Sequence, residues 1–289
     1  MEKMIFNGEI LAQCDVKIDF EDRGYQFGDG VYEVIRIYNG ELFTSEMHLN
    51  RLIESAKKIS ITIPITVKEI EDNLKRLVVE NKIKFGIIYM QITRGVSPRN
   101  HAFPDGDVEP VFVAYTKEMP YTGVYKEGKK AVVTEDIRWL RCDIKSLNLL
   151  GNILAKQKAK EADCFEAIMH RDTFVTEGSS SNISIVVNGE LKTHPTNNLI
   201  LNGITRQVLQ NICLGAGITF KEDTFTLDEL FQADEVIMTS TTAEVTPIVE
   251  IDGEIIGNGE PGVITKQIQE AFYKEIVSQC GDFIEFSAK

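Results

Sequence analysis

The chain has 289 residues, of which 43% are apolar and 26% are charged, so it is long and apolar enough to build two hydrophobic cores. Its net charge of −13 argues against nucleic acid and anionic membranes as partners, and no apolar run approaches the ~18 residues of a membrane-spanning helix. Five scattered cysteines and four scattered histidines have neither metal-site nor disulfide spacing, and the first residues lack a secretory pattern, so we expect a cytoplasmic protein with reduced thiols and no metal.

The first third of the chain predicts strands and helices in mixed order. Residues 27–43 predict a hairpin around Asn39-Gly40, a dipeptide typical of a type I′ turn, with Tyr32 and Glu33 on opposite faces of the first strand. Apolar spacing then predicts helices at 47–60 and 66–81. It also predicts strands at 85–94 and 110–116, with an irregular loop between them at 95–108.

Residues 119–128 combine Pro120 with two glycines and little periodicity, so we predict a linker there. It would join a small N-terminal α+β domain at 1–118 to a large C-terminal α+β domain at 129–289, which carries Lys145. The second domain is predicted to hold a strand at 131–139, a series of short strands, and helices at 149–162, 205–215, 227–232 and 262–280. Strands and helices do not alternate regularly, which favours an α+β fold over a doubly wound sheet.

Lys145 lies among apolar neighbours in the segment 142–150, between a predicted strand and a predicted helix. Partial desolvation there disfavours the charged ammonium and frees the amine to attack a carbonyl. That is the chemistry needed to form a Schiff base with an aldehyde cofactor. Because most lysines are solvated surface residues, this interpretation depends on the other motifs of the chain.

Three segments that carry hydroxyl groups suit the other parts of such a cofactor. Glu177 is followed by a glycine and three serines before a predicted strand, so it could pair with a protonated heterocycle nitrogen beside serine hydroxyls. Further along, a predicted strand passes through Gly203 into a helix, whose first N–H groups and Thr205 hydroxyl suit a phosphate. A second hydroxyl cluster ends another predicted strand at 239–242. Each segment could instead be a polar turn or an ordinary helix start.

Two arginine motifs could bind anions. His48 and Arg51 open a predicted helix on one face, and Arg51 can donate two hydrogen bonds to a phosphate in a fixed fork. Arg99 and His101 lie two residues apart in a loop with two prolines, so in an extended conformation they point the same way and could clamp a small carboxylate. Such a clamp would be useful in a chain whose overall charge repels anions, although both motifs could equally be surface features.

Together these motifs resemble the fold-type IV pyridoxal-phosphate enzymes, and more closely the D-amino-acid aminotransferases among them. The similarity covers most of the chain, running in order through residues 22–34, 48–51, 94–104, 138–145, 176–182, 203–206 and 239–247. It implies the two-domain fold-type IV architecture and a homodimer with the active site near the subunit interface. It also implies a pyridoxal 5'-phosphate-dependent transamination from a D-amino acid such as D-alanine to a 2-oxo acid such as 2-oxoglutarate, in ping-pong order through pyridoxamine phosphate.

The resemblance gives each candidate residue a role. Lys145 would hold the cofactor as a Schiff base and move the proton between substrate Cα and cofactor C4′, while Glu177 keeps the pyridine nitrogen protonated. The other implied roles are phosphate binding by Arg51, Ile204, Thr205 and Thr241, cofactor contacts by Leu201 and Ser180, and binding of the substrate α-carboxylate by Tyr32, Arg99 and His101. Asn100 departs from the family pattern, since a small residue is common there, and it could alter the reach of the clamp.

Three alternatives stay open. An L-branched-chain aminotransferase would not use Arg99 and His101 as a carboxylate trap. An aminodeoxychorismate lyase would share the lysine and the phosphate site, but it would release pyruvate without an amino acceptor. A small-molecule-binding protein with an unreactive lysine would lack the visible absorption of a lysine-bound cofactor.

Overall fold

The computed structural model describes residues 2–121 and 127–283, and it divides into two compact units. Within the described residues, the first unit comprises 2–121, 144–148 and 276–283, and the second comprises 127–143 and 149–275. The predicted linker at 119–128 falls in part on residues 122–126, which lie outside the described residues. The predicted domain bounds, 1–118 and 129–289, stay a prediction, although the compact unit that includes Lys145 is the first one.

The first unit contains a six-stranded antiparallel sheet. Its strands are β1 (Lys3–Phe6), β2 (Glu9–Ala12), β3 (Gly30–Tyr38), β4 (Glu41–Leu42), β5 (Gly86–Thr93) and β6 (Val111–Glu118), and its helices are α1 (Arg23–Phe27), α2 (Ser45–Lys58) and α3 (Val67–Asn81), with a 3-10 turn at Gln13–Asp15. The strand order is β2-β1-β6-β5-β3-β4. The hairpin prediction is confirmed, because β3 and β4 pair antiparallel and Asn39 and Gly40 have φ values of 52° and 84°, as a type I′ turn requires.

One hydrophobic core holds this unit together. Ile35 and Ile88 of the sheet pack in it with Leu49 of α2 and Leu74 of α3, and all four are fully buried. Burying a side chain of this size contributes about 1.5–3 kcal/mol. Ile144 is buried in the same core, so the residue before Lys145 is fixed by the first unit.

The second unit contains a mixed sheet of nine strands. Its strands are β7 (Lys129–Glu135), β8 (Glu166–Arg171), β9 (Phe174–Gly178), β10 (Asn182–Val187), β11 (Glu190–Thr193), β12 (Phe220–Glu222), β13 (Glu235–Ser240), β14 (Glu244–Ile251) and β15 (Glu254–Ile255). The order is β12-β11-β10-β13-β14-β7-β8-β9, and β15 pairs with β14. The β7–β8, β7–β14 and β11–β12 pairs are parallel and the other pairs are antiparallel.

The helices of the second unit are α4 (Leu150–Glu161), α5 (Ile204–Ala216), α6 (Leu227–Phe231) and α7 (Val263–Cys280), and the last turn of α7 is grouped with the first unit. This mixture of sheets and helices confirms the α+β prediction. Two local strand predictions were wrong, however. The strand predicted at 131–139 ends at Glu135, and the residues that lead into α5 are irregular. Among the described residues, none of the helices combines the length and apolar character needed to cross a membrane.

Candidate active site

Lys145 is held by its backbone against β3 and α2 of the first unit. Its carbonyl accepts a hydrogen bond from the Tyr32 N–H (2.9 Å), and its own N–H donates to Ser55 Oγ (3.2 Å). The half-buried side chain places Nζ 4.2 Å from the centroid of the Tyr32 ring. The structure therefore brings together the predicted nucleophile and one of the predicted substrate-binding residues.

Three charged or titratable side chains form a buried group beside this segment, here called the Glu33 cluster (Glu33, His48 and Arg51). Glu33 accepts hydrogen bonds from Arg51 Nε (2.6 Å) and Nη2 (3.0 Å), and its Oε2 lies 2.8 Å from His48 Nδ1. Burial works against the Glu33 charge, but Arg51 and His48 lower the pKa of Glu33. Burial also lowers the pKa of His48, which favours a neutral imidazole.

The Glu33 cluster fixes the direction of Arg51, the predicted phosphate ligand. His48 and Arg51 lie almost one turn apart on α2, so they share the face that the sequence predicted. Glu33 was not predicted as a site residue. The sequence feature that could have identified it is a carboxylate on a strand face that is otherwise occupied by buried aliphatic side chains. An unpaired charge there would be costly, so a partner is expected.

Arg99 and His101 lie exposed in the loop after β5, and both face the same aromatic ring. The Arg99 guanidinium lies 4.4 Å from the centroid of the Phe27 ring, and the His101 ring lies 5.6 Å from it. Among the described residues, no hydrogen bond, ion pair or ring contact joins either side chain to Tyr32 or Lys145. The structure thus groups the predicted clamp residues with each other and does not join them to the lysine of their own chain.

Glu177 is the centre of the second unit's polar group. It lies buried in β9 and accepts hydrogen bonds from Arg138 Nη1 (2.5 Å), Asn182 Nδ2 (3.0 Å) and the Leu201 N–H (3.0 Å). Burial raises the pKa of Glu177, and the Arg138 guanidinium opposes that shift. A buried carboxylate whose position is fixed by three donors suits the role of acceptor for a protonated ring nitrogen.

Arg138 is in turn held by further polar side chains that the sequence analysis did not single out. Asp136 Oδ2 lies 2.8 Å from Arg138 Nη2 and also accepts from Thr176 Oγ1 (2.9 Å) and Arg171 Nε (3.3 Å). Despite burial, the Asp136 hydrogen bond and the Glu177 charge raise the pKa of Arg138. We call Asp136, Arg138, Arg171 and Glu177 the Glu177 cluster. The Asp136 side chain also accepts from the Arg138 N–H (3.1 Å), a local turn that explains why β7 ends early.

The N-terminus of α5 offers a geometry in the second unit that suits a phosphate. Gly203 is its N-cap and supplies no side-chain cap, so the first N–H groups, including those of Ile204 and Thr205, have no acceptor within the helix. Both residues are buried. In the described part of the chain, the buried Thr239 Oγ1 has no hydrogen-bond partner, and Thr241 lies half-buried in the turn that follows β13.

The serine turn between β9 and β10 is the last predicted element. The Gly178 N–H donates to the Ser181 carbonyl (2.7 Å), which makes the turn tight, and Ser180 is exposed at its tip. The buried Glu166 carboxylate accepts hydrogen bonds from the hydroxyls of Ser179 and Ser181. Glu166 therefore shapes the turn that follows Glu177 and carries Ser180 at its tip.

Comparison with known proteins gives consistent results. A family model described as amino-transferase class IV matches residues 30–251. The chain is 52% identical over 280 residues to the D-alanine aminotransferase of Staphylococcus aureus (strain MSSA476), covering 96% of this chain and 99% of that protein. It is 50% identical over 285 residues to the D-alanine aminotransferase of Listeria monocytogenes, covering 98% and 99%. The solved branched-chain amino acid aminotransferase of Thermobaculum terrenum, in its PLP form, superposes with a TM-score of 0.86 at 25% identity, covering 99% and 96%.

Proposed function

The chain belongs to the class IV aminotransferases, and from this membership we propose that it moves the amino group of a D-amino acid, such as D-alanine, to a 2-oxo acid, such as 2-oxoglutarate, in ping-pong order. The family expected from the sequence motifs is thereby confirmed. The observation that carries the proposal is 52% identity to a D-alanine aminotransferase over 96% of this chain and 99% of that protein, because similarity of that extent spans almost the whole of both chains.

The cofactor we assign is pyridoxal 5'-phosphate, which acts as an electron sink for the carbanion formed when a substrate Cα–H loses its proton. The residues fit it on three grounds. The uncapped α5 N-terminus offers N–H groups to a phosphate, the buried Thr239 hydroxyl lacks a partner in the described chain, and buried Glu177 is surrounded by donors. We assign the phosphate to Arg51, Ile204, Thr205 and Thr241, the ring to Leu201, Ser180 and Glu177, and the covalent attachment to Lys145.

The amine of Lys145 is the group that we propose to move a proton. Its backbone is fixed by two hydrogen bonds, whereas the amine itself makes no hydrogen bond to any described residue, so it keeps the freedom to reach a substrate Cα. Glu177 would support the same step from the acceptor side, because a carboxylate beside the ring nitrogen stabilises the protonated ring, which draws negative charge away from Cα.

The substrate carboxylate is assigned to Tyr32, Arg99 and His101. Arginine offers a fixed fork of donors, and a neighbouring imidazole can add another hydrogen bond to the same carboxylate. In a chain of net charge −13, such local donors are needed to attract an anionic substrate. Because one lysine serves one face of the cofactor, the side on which the carboxylate is held decides which enantiomer presents its hydrogen.

We further propose a cytoplasmic homodimer. Leu150, Ile153 and Leu154 of α4 are exposed apolar side chains on neighbouring positions of one helix, which supports contact with a second copy. The exposed position of Arg99 and His101 is compatible with a loop that closes a neighbour's site. The five cysteines are all free, as in proteins of a reducing compartment.

The experiment that tests the function is a panel of initial rates with D- and L-donors and 2-oxoglutarate as acceptor. We expect D-alanine to react and L-leucine to react far more slowly. A preference for L-leucine would replace the proposal with branched-chain transamination, the activity in the name of the superposed structure. Pyruvate released from aminodeoxychorismate without any amino acceptor would instead indicate the lyase. Borohydride reduction of the purified enzyme should fix the cofactor on Lys145, as read by peptide mass spectrometry.

A further inference from the structure

The loop that carries Arg99 and His101 is tied to a buried ion-pair group, here called the Asp29 cluster (Arg23, Asp29 and Arg94). Asp29 accepts hydrogen bonds from Arg23 Nε (2.8 Å) and from Arg94 Nε (2.8 Å) and Nη2 (2.9 Å). Burial opposes the Asp29 charge, but the two arginines lower the pKa of Asp29. The cluster therefore joins α1, the turn before β3 and the end of β5 at one point.

The backbone of the loop is fastened to the same segment. The Arg23 N–H donates to the Gly95 carbonyl (2.9 Å), and the Ser97 N–H donates to the Glu21 carbonyl (3.3 Å). Arg23 Nη1 then donates to the Asn100 carbonyl (2.7 Å), which lies directly between Arg99 and His101. The Arg23 guanidinium thus binds Asp29 through Nε and the backbone between the two predicted clamp residues through Nη1.

The Phe27 ring completes the arrangement. It lies near the Arg23 guanidinium (4.8 Å), the Arg99 guanidinium (4.4 Å) and the His101 ring (5.6 Å). Cations are attracted to the face of an aromatic ring, so the ring restrains Arg99, which is otherwise exposed. Arg99 and His101 therefore share one support although their backbone is irregular.

We propose that Phe27 and Arg23 are positioning residues that set the spacing and direction of Arg99 and His101 for the substrate carboxylate. Arg23 fixes the backbone between the two clamp residues, and Phe27 fixes their side chains. This inference rests on the proposed function, because it explains how an exposed loop keeps two donors aligned for one anion. It also gives a role to Arg23 and Phe27 within the 22–34 segment that resembles the family.

The test is steady-state kinetics of the holoenzyme with D-alanine and 2-oxoglutarate. Phe27→Leu removes the ring face but keeps apolar bulk, and the loss of an exposed cation–π contact corresponds to a rise in KM of about 2- to 5-fold. Arg23→Lys keeps the charge beside Asp29 but has no second arm for the Asn100 carbonyl, so we expect a rise of about 2- to 10-fold. In both variants kcat should change less than KM, because the clamp binds the carboxylate equally in the ground state and the transition state.

Two controls separate positioning from general damage. Phe27→Tyr keeps the aromatic ring, so this variant should have the same KM as the parent enzyme. Tyr25→Leu removes a ring of the same helix that is 78% exposed, and it should leave KM unchanged. In an Arg99→Ala background, Phe27→Leu should raise KM by a smaller factor than it does in the parent enzyme. The reason is that Phe27 is proposed to act by positioning Arg99, which is then absent.

The outcomes decide between this inference and the function itself. If Arg99→Ala raises KM while both Phe27→Leu and Arg23→Lys leave it unchanged, the positioning role is wrong and the proposed function stands. An effect of Phe27→Leu that is undiminished in the Arg99→Ala background would also overturn the role. If Arg99→Ala itself leaves KM unchanged, the clamp is removed from the proposed function and this inference falls with it.

Discussion

Glu33→Gln is the substitution that most directly tests the buried Glu33 cluster. The Glu33 side chain is 0% exposed, and those of His48 and Arg51 are 2% and 13% exposed, so the change leaves a nearly buried guanidinium without its carboxylate. Removing one partner of a buried ion pair costs about 3–5 kcal/mol. Because Arg51 retains some solvent and the glutamine carbonyl can still accept one hydrogen bond, we expect about 2–4 kcal/mol of lost stability.

Two measurements on the same variant check this reasoning. Urea unfolding without cofactor gives the free energy of unfolding, and titration with pyridoxal 5'-phosphate gives the Kd. We expect Kd to rise about 10-fold or more, because Arg51 loses the carboxylate that fixes the direction of its guanidinium. A tenfold change in Kd corresponds to about 1.4 kcal/mol. Glu235→Gln is the matched control, since Glu235 accepts from the Ile264 and Thr265 N–H groups at the start of α7. It should lower stability by about 0.5–2 kcal/mol and leave Kd unchanged. A Glu33→Gln variant as stable as the parent, or one that binds the cofactor as tightly, would refute the reasoning.

Three further changes have distinct expected results. Lys145→Ala should abolish transamination of D-alanine while circular dichroism shows the fold retained, and turnover at the parent rate would contradict the assignment of Lys145. Arg99→Ala should raise KM for D-alanine by about 10-fold or more, since the substrate carboxylate loses a charged partner, and an unchanged KM would remove Arg99 from the clamp. Lowering the pH should destabilise the protein in two stages, measured as unfolding midpoints. Because burial lowers the folded-state pKa of His48, its contribution is present above the unfolded value near ~6.5 and declines below it. Because the folded-state pKa values of Asp29 and Glu33 are lowered, their contributions are present above ~4 and decline as pH falls further, so a midpoint that is constant down to pH ~3 would contradict this prediction.

Local sequence patterns predicted most of the regular structure. The apolar spacing at 47–60 and 66–81 corresponds to α2 and α3, and Thr66 with Glu69 forms a capping box that starts α3 at Val67. Such features depend on residues three or four positions apart, so they are visible in the sequence. The predicted strand at 131–139 was too long because the hydrogen bonds that Asp136 makes to Arg138 compete with the sheet.

The site was only partly predictable because its ion pairs join distant positions. Lys145, Glu177 and Arg51 were identified as candidates from their motifs, but the roles assigned to them stay a prediction. Arg94 and Asp29 are 65 residues apart in sequence, and their contact depends on the register between β3 and β5. Nothing local marks such a pair, so the Asp29 cluster became visible only in the folded chain.

The three clusters differ in their charge balance. The pairs are Asp29 with Arg23 and Arg94, Glu33 with Arg51, and Asp136 and Glu177 with Arg138 and Arg171. With His48 neutral, the Glu33 cluster and the Glu177 cluster each sum to zero, whereas the Asp29 cluster keeps one positive charge in excess. That excess lies beneath the loop that presents Arg99. A chain of net charge −13 thus holds two arginines against one carboxylate next to the loop where we propose that a substrate carboxylate binds, whereas the charges of the group that we assign to the cofactor nitrogen sum to zero.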